Sequence, residues 1–139
     1  LGAFADQFAR GEDAIYGIFD RDGTRVLGGT GLHPRLGKQA REIGYWIRAD
    51  AVGQGLATES TAALTRVGFE VDGLEWLEVH CDPANVRSAA IPRRLGYALT
   101  AERDGRDHLV FRMTRAAYEA SPCAAAPLAA YAADGVRLA

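Results

Sequence analysis

The spacing of apolar positions changes along this chain, and each change predicts an element. Residues 1-LGAFADQFARG-11 set Leu1, Phe4, Ala5 and Phe8 at the three–four spacing of one helix face, and Gly11 closes it. The runs 14-AIYGIFD-20 and 25-RVLGGTGLH-33 flank the polar turn 20-DRDGT-24, where Asp22-Gly23 supplies the reversal of a hairpin. After the loop 34-PRLGKQA-40, the stretch 41-REIGYWIRA-49 alternates Ile43, Tyr45 and Ile47 against Glu42, Gly44, Trp46 and Arg48, the pattern of a third strand. The stripe Leu56, Ala63, Leu64 and Val67 predicts a helix over 55–71, with Gly68 a cost in propensity. A strand over 74–81 follows, then a helix opening at Asp82-Pro83 and closing at Gly96. Strands over 97–102 and 107–114 bracket the turn 103–106. From Arg115 the chain turns rich in Ala and Pro, which predicts a short helix and a loosely held terminus.

A helix joining strands 41–49 and 74–81 makes them parallel, whereas the short connections elsewhere are antiparallel. The expected class is therefore α+β: a mixed, mostly antiparallel twisted sheet flanked by helices, its parallel pair splaying at the ligand end. A chain of 139 residues supports one domain with a proper core. That domain is expected over 1–118, with 119–139 as a tail.

Composition narrows the chemistry. The net charge is −2, Lys38 is the single lysine, and the arginines alternate with acids, so no basic face points to a nucleic-acid partner. Cys81 and Cys123 do not make a disulfide framework. Neither a signal peptide nor an apolar run of transmembrane length is present, and a cytoplasmic protein with no membrane partner is expected. No pair of His or Cys has metal-ligand spacing, so no metal is expected. His80 and Cys81 are neighbours on a strand and point to opposite faces, which rules against a thiol hydrolase.

Two segments carry the candidate chemistry. Gly53 and Gly55 lie where a strand ends and a helix begins, and glycine permits positive φ and close ligand approach. Unpaired amides from Gly53 through Thr58 suit phosphate oxygens, although the same glycines also fit a plain strand terminator. The turn has neither the triphosphate-loop nor the three-glycine dinucleotide pattern. In the second segment Asn85 and Ser88 share a helix face. Taken singly, Asn85 equally fits a helix cap, and Ser88 a small surface residue.

Together, 52-VGQGLA-57 and 82-DPANVRSAAIPRRLGY-97 resemble the GCN5-related N-acetyltransferase superfamily, in its branch of ribosomal-protein alanine N-acetyltransferases. The strand 41-REIGYWI-47 and the closing 107-DHLVFRMTR-115 fit the same pattern, and the likeness spans about residues 4 to 118. The resemblance implies an acyl-CoA N-acyltransferase fold whose first strand and helix are missing ahead of residue 1. It implies acetyl-CoA as cosubstrate, with its pyrophosphate on the amides of Gly53, Gln54, Gly55, Leu56, Ala57 and Thr58. The pantetheine arm would pair near Ile47 and Arg48, and Asn85 would hold the pantetheine or the incoming amine. The acceptor would be a protein N-terminus or a small-molecule amine attacking the thioester in a ternary complex, and a homodimer is compatible.

Two departures matter. Val52 replaces the usual Gln or Arg, and Pro92 stands where many members carry a thiolate-protonating Tyr. The branch uses a Ser at the position matched by Ser88, which inherits that role. The superfamily often places a Glu where Glu42 stands, thirteen residues before Gly55, and Glu42 is the expected base. A solvated carboxylate, or an ion pair with Arg41 or Arg48, is the plain alternative. His33 competes for the role, since an unperturbed imidazole titrates near pH 6.5. His80 and Cys81 are expected as packing around the cleft, and His108 is given no role. A non-catalytic acyl-CoA-binding or sensor module is the alternative from another class.

Overall fold

The computed structural model of the chain describes Asp6, Ala9, Arg10 and residues 12–139, so the helix expected over 1–11 falls largely outside the described residues. The alternating runs pair as expected. β1 (Ala14–Phe19) lies antiparallel to β2 (Val26–His33), and β2 antiparallel to β3 (Ala40–Ile47). Asp20 builds the hairpin turn, its Oδ1 accepting the main-chain N–H groups of Thr24 and Arg25 at 2.9 and 3.2 Å. β3 stops at Ile47, short of 49, because the chain turns at Arg48 into a 3-10 turn over Ala49–Ala51.

α1 (Leu56–Arg66) buries Thr61, Ala62, Leu64 and Thr65. It does not run on to 71 as an α-helix, because Val67–Val71 forms a π-helical turn. Gly68 explains the local geometry. A Cβ there would lie 2.9 Å from Leu77 Cδ1, so the absence of a side chain lets this turn press onto β4 (Trp76–Cys81). Leu74 N–H then closes the element onto Gly68 O at 2.9 Å, with Gly73 at φ 67°.

α2 (Val86–Arg94) begins later than Asp82-Pro83, since Asn85 is its N-cap and Asp82 closes a turn onto Ala84 N–H at 2.9 Å. β5 (Ala98–Arg103) and β6 (Leu109–Thr114) form the last hairpin. The sheet order is β1-β2-β3-β4-β6-β5, and only β3 and β4 are parallel. Their pairing covers Ala40↔Trp76, Arg41↔Leu77 and Glu42↔Glu78 and goes no further. Beyond Glu42 the two strands part, opening the expected split.

One face of the sheet carries Leu32, Ile43, Leu77, Val79, Phe111 and Met113, all essentially buried in one cluster with Leu64, Phe69 and Leu95. The opposite face is polar. α3 (Arg115–Glu119) and a 3-10 turn over Pro122–Ala125 follow β6. The terminus is held more firmly than its composition predicts as far as Ala126. Cys123 is fully buried, and Arg66 donates to Ala126 O at 2.7 Å. Among the described residues, no helix is long and apolar enough to cross a membrane.

Candidate active site

The turn between β3 and α1 is shaped by its glycines. Gly53 and Gly55 hold φ of 80° and 77°, in the left-handed region that favours residues without Cβ. Gly55 is the N-cap of α1, no side chain caps the helix, and the first main-chain bond into it runs from Glu59 N–H to Gly55 O at 2.9 Å. Among the described residues nothing accepts from the amides of Leu56, Ala57 and Thr58. Gly53, Gln54 and Gly55 are exposed, and a Cβ on either glycine would meet nothing within 4 Å. Left-handed glycines, an open approach and unpaired first-turn amides together make a seat for an anion.

The split between β3 and β4 leads away from this seat. Arg48 N–H donates to Leu27 O at 2.8 Å and Arg48 O accepts from Ala51 at 2.9 Å. Its main-chain N–H and O therefore already have partners in β2 and the following turn. Main-chain groups alternate sides along a strand, so those of Ile47 face the split.

On the helical face, Tyr45, Cys81 and Ser88 converge. Pro92 decides this arrangement. It lacks an N–H, so the carbonyl of Ser88, four residues earlier in α2, has no helical donor. The Tyr45 hydroxyl takes its place, donating to Ser88 O at 2.8 Å. Ser88 Oγ lies 3.3 Å from Tyr45 Oη and 3.5 Å from Cys81 Sγ. Burial pushes the Tyr45 phenol well above its ordinary range, so it stays protonated. The alternation of β3 places Tyr45 on its apolar side and does not single out its polar tip; a buried phenol requires a partner, which is the signal that points to it. Asn85 Oδ1 accepts Ser88 N–H at 3.0 Å, so the cap reading of Asn85 holds for its oxygen.

The opposite face holds the titratable groups. Register partners share a face, which puts His33, Glu42, Glu78 and Arg112 together. Glu42 is buried, with Arg35 Nη1 at 3.3 Å and Arg106 Nη2 at 3.9 Å; its cationic neighbours are thus neither Arg41 nor Arg48, and it is not a solvated carboxylate. Glu78 receives Arg112 through Nε and Nη2 at 2.8 and 2.7 Å, and His80 Nε2 lies 2.8 Å from its other oxygen. His80 Nδ1 sits 3.0 Å from Asp104 Oδ2, so His80 clamps β4 to the β5–β6 loop as well as packing beside the cleft. Desolvation raises the Asp104 carboxyl, but N–H groups of His108 and Arg106 and the His80 ring outweigh it and hold the pKa well below the carboxylate range. His108 Nδ1 lies 3.6 Å from Asp104.

His33 forms a pair that the sequence did not bring forward. Its Nδ1 lies 2.9 and 3.2 Å from the two carboxylate oxygens of Asp13. Among the described residues no group of three or more His, Cys, Asp or Glu has the geometry to hold a metal ion.

Comparison with known proteins fits this architecture. The acetyltransferase (GNAT) domain family matches residues 2–98. A provisionally named ribosomal-protein-serine acetyltransferase from Vibrio cholerae is 26% identical, with a TM-score of 0.72, covering 81% of this chain and 70% of its own. An acetyltransferase from Agrobacterium tumefaciens is 27% identical, with a TM-score of 0.67 and coverage of 80% and 66%. The ribosomal-protein-S5-alanine acetyltransferase of Vibrio fischeri shares the fold at 16% identity, with a TM-score of 0.73 and coverage of 82% and 68%. No curated protein is a significant match to the chain.

Proposed function

The chain belongs to the GNAT acetyltransferase family, and on that premise we propose that it moves the acetyl group of acetyl-CoA onto a primary amine, at a protein N-terminus or on a small molecule. The observation that carries this reading is the pairing of an open amide seat at 53–58 with a parallel strand pair that parts after Glu42. The pyrophosphate rests on the amides of Gly53, Gln54, Gly55, Leu56, Ala57 and Thr58. The pantetheine arm enters the split along the main chain of Ile47, with the Asn85 amide nitrogen as a further donor. This places the thioester between the two faces of the sheet.

The amine approaches from the polar face, where the two candidate proton acceptors, Glu42 and His33, are register partners. Its lone pair forms the C–N bond, a tetrahedral oxyanion develops, and the C–S bond breaks with its electron pair on sulfur. The thiolate leaves on the helical face toward Ser88. A hydroxyl held by the neutral Tyr45 phenol steadies developing charge there, passing its proton to sulfur and regaining one from solvent. The names of the Vibrio relatives favour peptides beginning with Ser or Ala as first acceptors to try. CoA release should be followed with such peptides and with a panel of small primary amines. Release that depends on the amine supports transfer; acetyl-CoA binding with no turnover on any acceptor makes the chain a sensor module instead.

A further inference from the structure

We infer that His33, oriented by Asp13, is the proton acceptor for the attacking amine, and that Glu42 is an electrostatic brace. This rests on the acetyltransferase reading above. The geometry separates the two candidates. The Glu42 carboxylate is buried and faces guanidinium groups from two loops, Arg35 before β3 and Arg106 before β6. Both of its oxygens are turned to side chains of the protein, Oε2 to Arg35 at 3.3 Å and Oε1 to Arg106 and His80 at 3.9 Å, rather than to the split. His33 is differently placed. Asp13 lies against Nδ1, so Nδ1 carries the hydrogen and Nε2 keeps its lone pair. Asp13 Oδ1 is itself fixed by Ala14 N–H at 2.8 Å. No partner for Nε2 occurs among the described residues.

Two glycines make room for the ring. A Cβ on Gly31 would stand 2.8 Å from His33 Cε1 and 2.9 Å from Nε2, and a Cβ on Gly44 would stand 3.2 Å from Nε2. Gly31 and Gly44 are register partners, and Gly44 lies just beyond the last paired residue of β3 and β4. The Nε2 edge of the imidazole therefore rests over two positions without side chains, one of them on β3 past the end of its pairing with β4. The N–H proton of the amine passes to Nε2 as the C–N bond forms, and the imidazolium returns it to solvent after the amide leaves. Asp13 is the positioning residue; among the described residues its hydrogen bonds go to His33 and to Ala14 N–H.

The test combines a spectroscopic and a kinetic readout on the full chain. In long-range proton–nitrogen spectra of labelled protein, His33 should be the Nδ1–H tautomer. Asp13→Ala should mix the tautomers and lower turnover by about tenfold, and Asp13→Glu should restore both. His33→Gln should lose on the order of 10²-fold in turnover and keep the acetyl-CoA affinity of the parent, measured by calorimetry. An Nε2–H tautomer in the parent, or turnover of His33→Gln within about twofold of the parent while Glu42→Gln is inactive, overturns the inference and leaves acetyl transfer standing. A parent protein that does not bind acetyl-CoA removes the underlying reading instead.

Discussion

Proline at position 92 removes one N–H, and its effect reaches the site through Ser88. The freed Ser88 carbonyl draws in Tyr45, which in turn brings its phenol beside Ser88 Oγ. The residue that departs from the family's usual tyrosine thus helps to assemble the Tyr45–Ser88 pair proposed to take over its role. Ser88→Ala removes only long hydrogen bonds of 3.3 and 3.5 Å, so it should fold and bind acetyl-CoA like the parent. Its turnover should fall about 10²-fold. Saturating kinetics within about twofold of the parent would assign thiolate protonation to water.

At the scale of elements, the crossover helix, the parallel pair and the glycine turn were legible because each follows from local pattern and connection length. The Asp13–His33 pair was not. Counting back from the Asp22-Gly23 turn fails because the register shifts between Ile18 and Phe19. Ile18 pairs with Gly28 but Phe19 with Val26, so Leu27 is passed over. Ala14 opposite Leu32 then carries Asp13 to the His33 end of β2. A one-residue slip of this kind changes which side chains share a face, and no periodicity in the sequence records it. The Glu42 ion pairs were hidden for a related reason, since Arg35 and Arg106 arrive from loops whose paths depend on the finished sheet. Gly28 shows how tightly the same strands are set. A Cβ there would collide with the main-chain oxygen of Trp46 and stand 3.2 Å from Ile47 Cα. Neither backbone atom can yield without disturbing β2–β3 pairing, so Gly28→Ala should cost about 2 kcal/mol or more in urea unfolding. A variant as stable as the parent would mean that these strands separate easily.

For the molecule as a whole, the sheet separates a buried helical side from a charged side, which the proposed reaction assigns to the thiol and the amine respectively. Asp104 holds the charged side together, tying the β5–β6 loop to His80 on β4. Its pKa is depressed in the folded state, so its contribution is complete above the unfolded value of 3.8 and is lost as pH falls through the lower folded value. Asp104→Asn should therefore be less stable than the parent at pH 7, and the gap should narrow as pH drops below about 4. An equal gap at both pH values would mean that the carboxylate charge contributes nothing. The central claim is that the amides opened by Gly53 and Gly55 seat the phosphates of acetyl-CoA. A Cβ at position 55 would meet no protein atom within 4 Å; the left-handed backbone should cost Gly55→Val about 1–2 kcal/mol or more, and its branched Cβ obstructs the ligand. The most direct measurement is calorimetric titration of acetyl-CoA into the parent and into Gly55→Val, with folding checked by circular dichroism. The account predicts a saturable heat in the parent and at least about a tenfold loss of affinity in the folded variant. Equal affinity in the two proteins, or no binding by the parent, would contradict it.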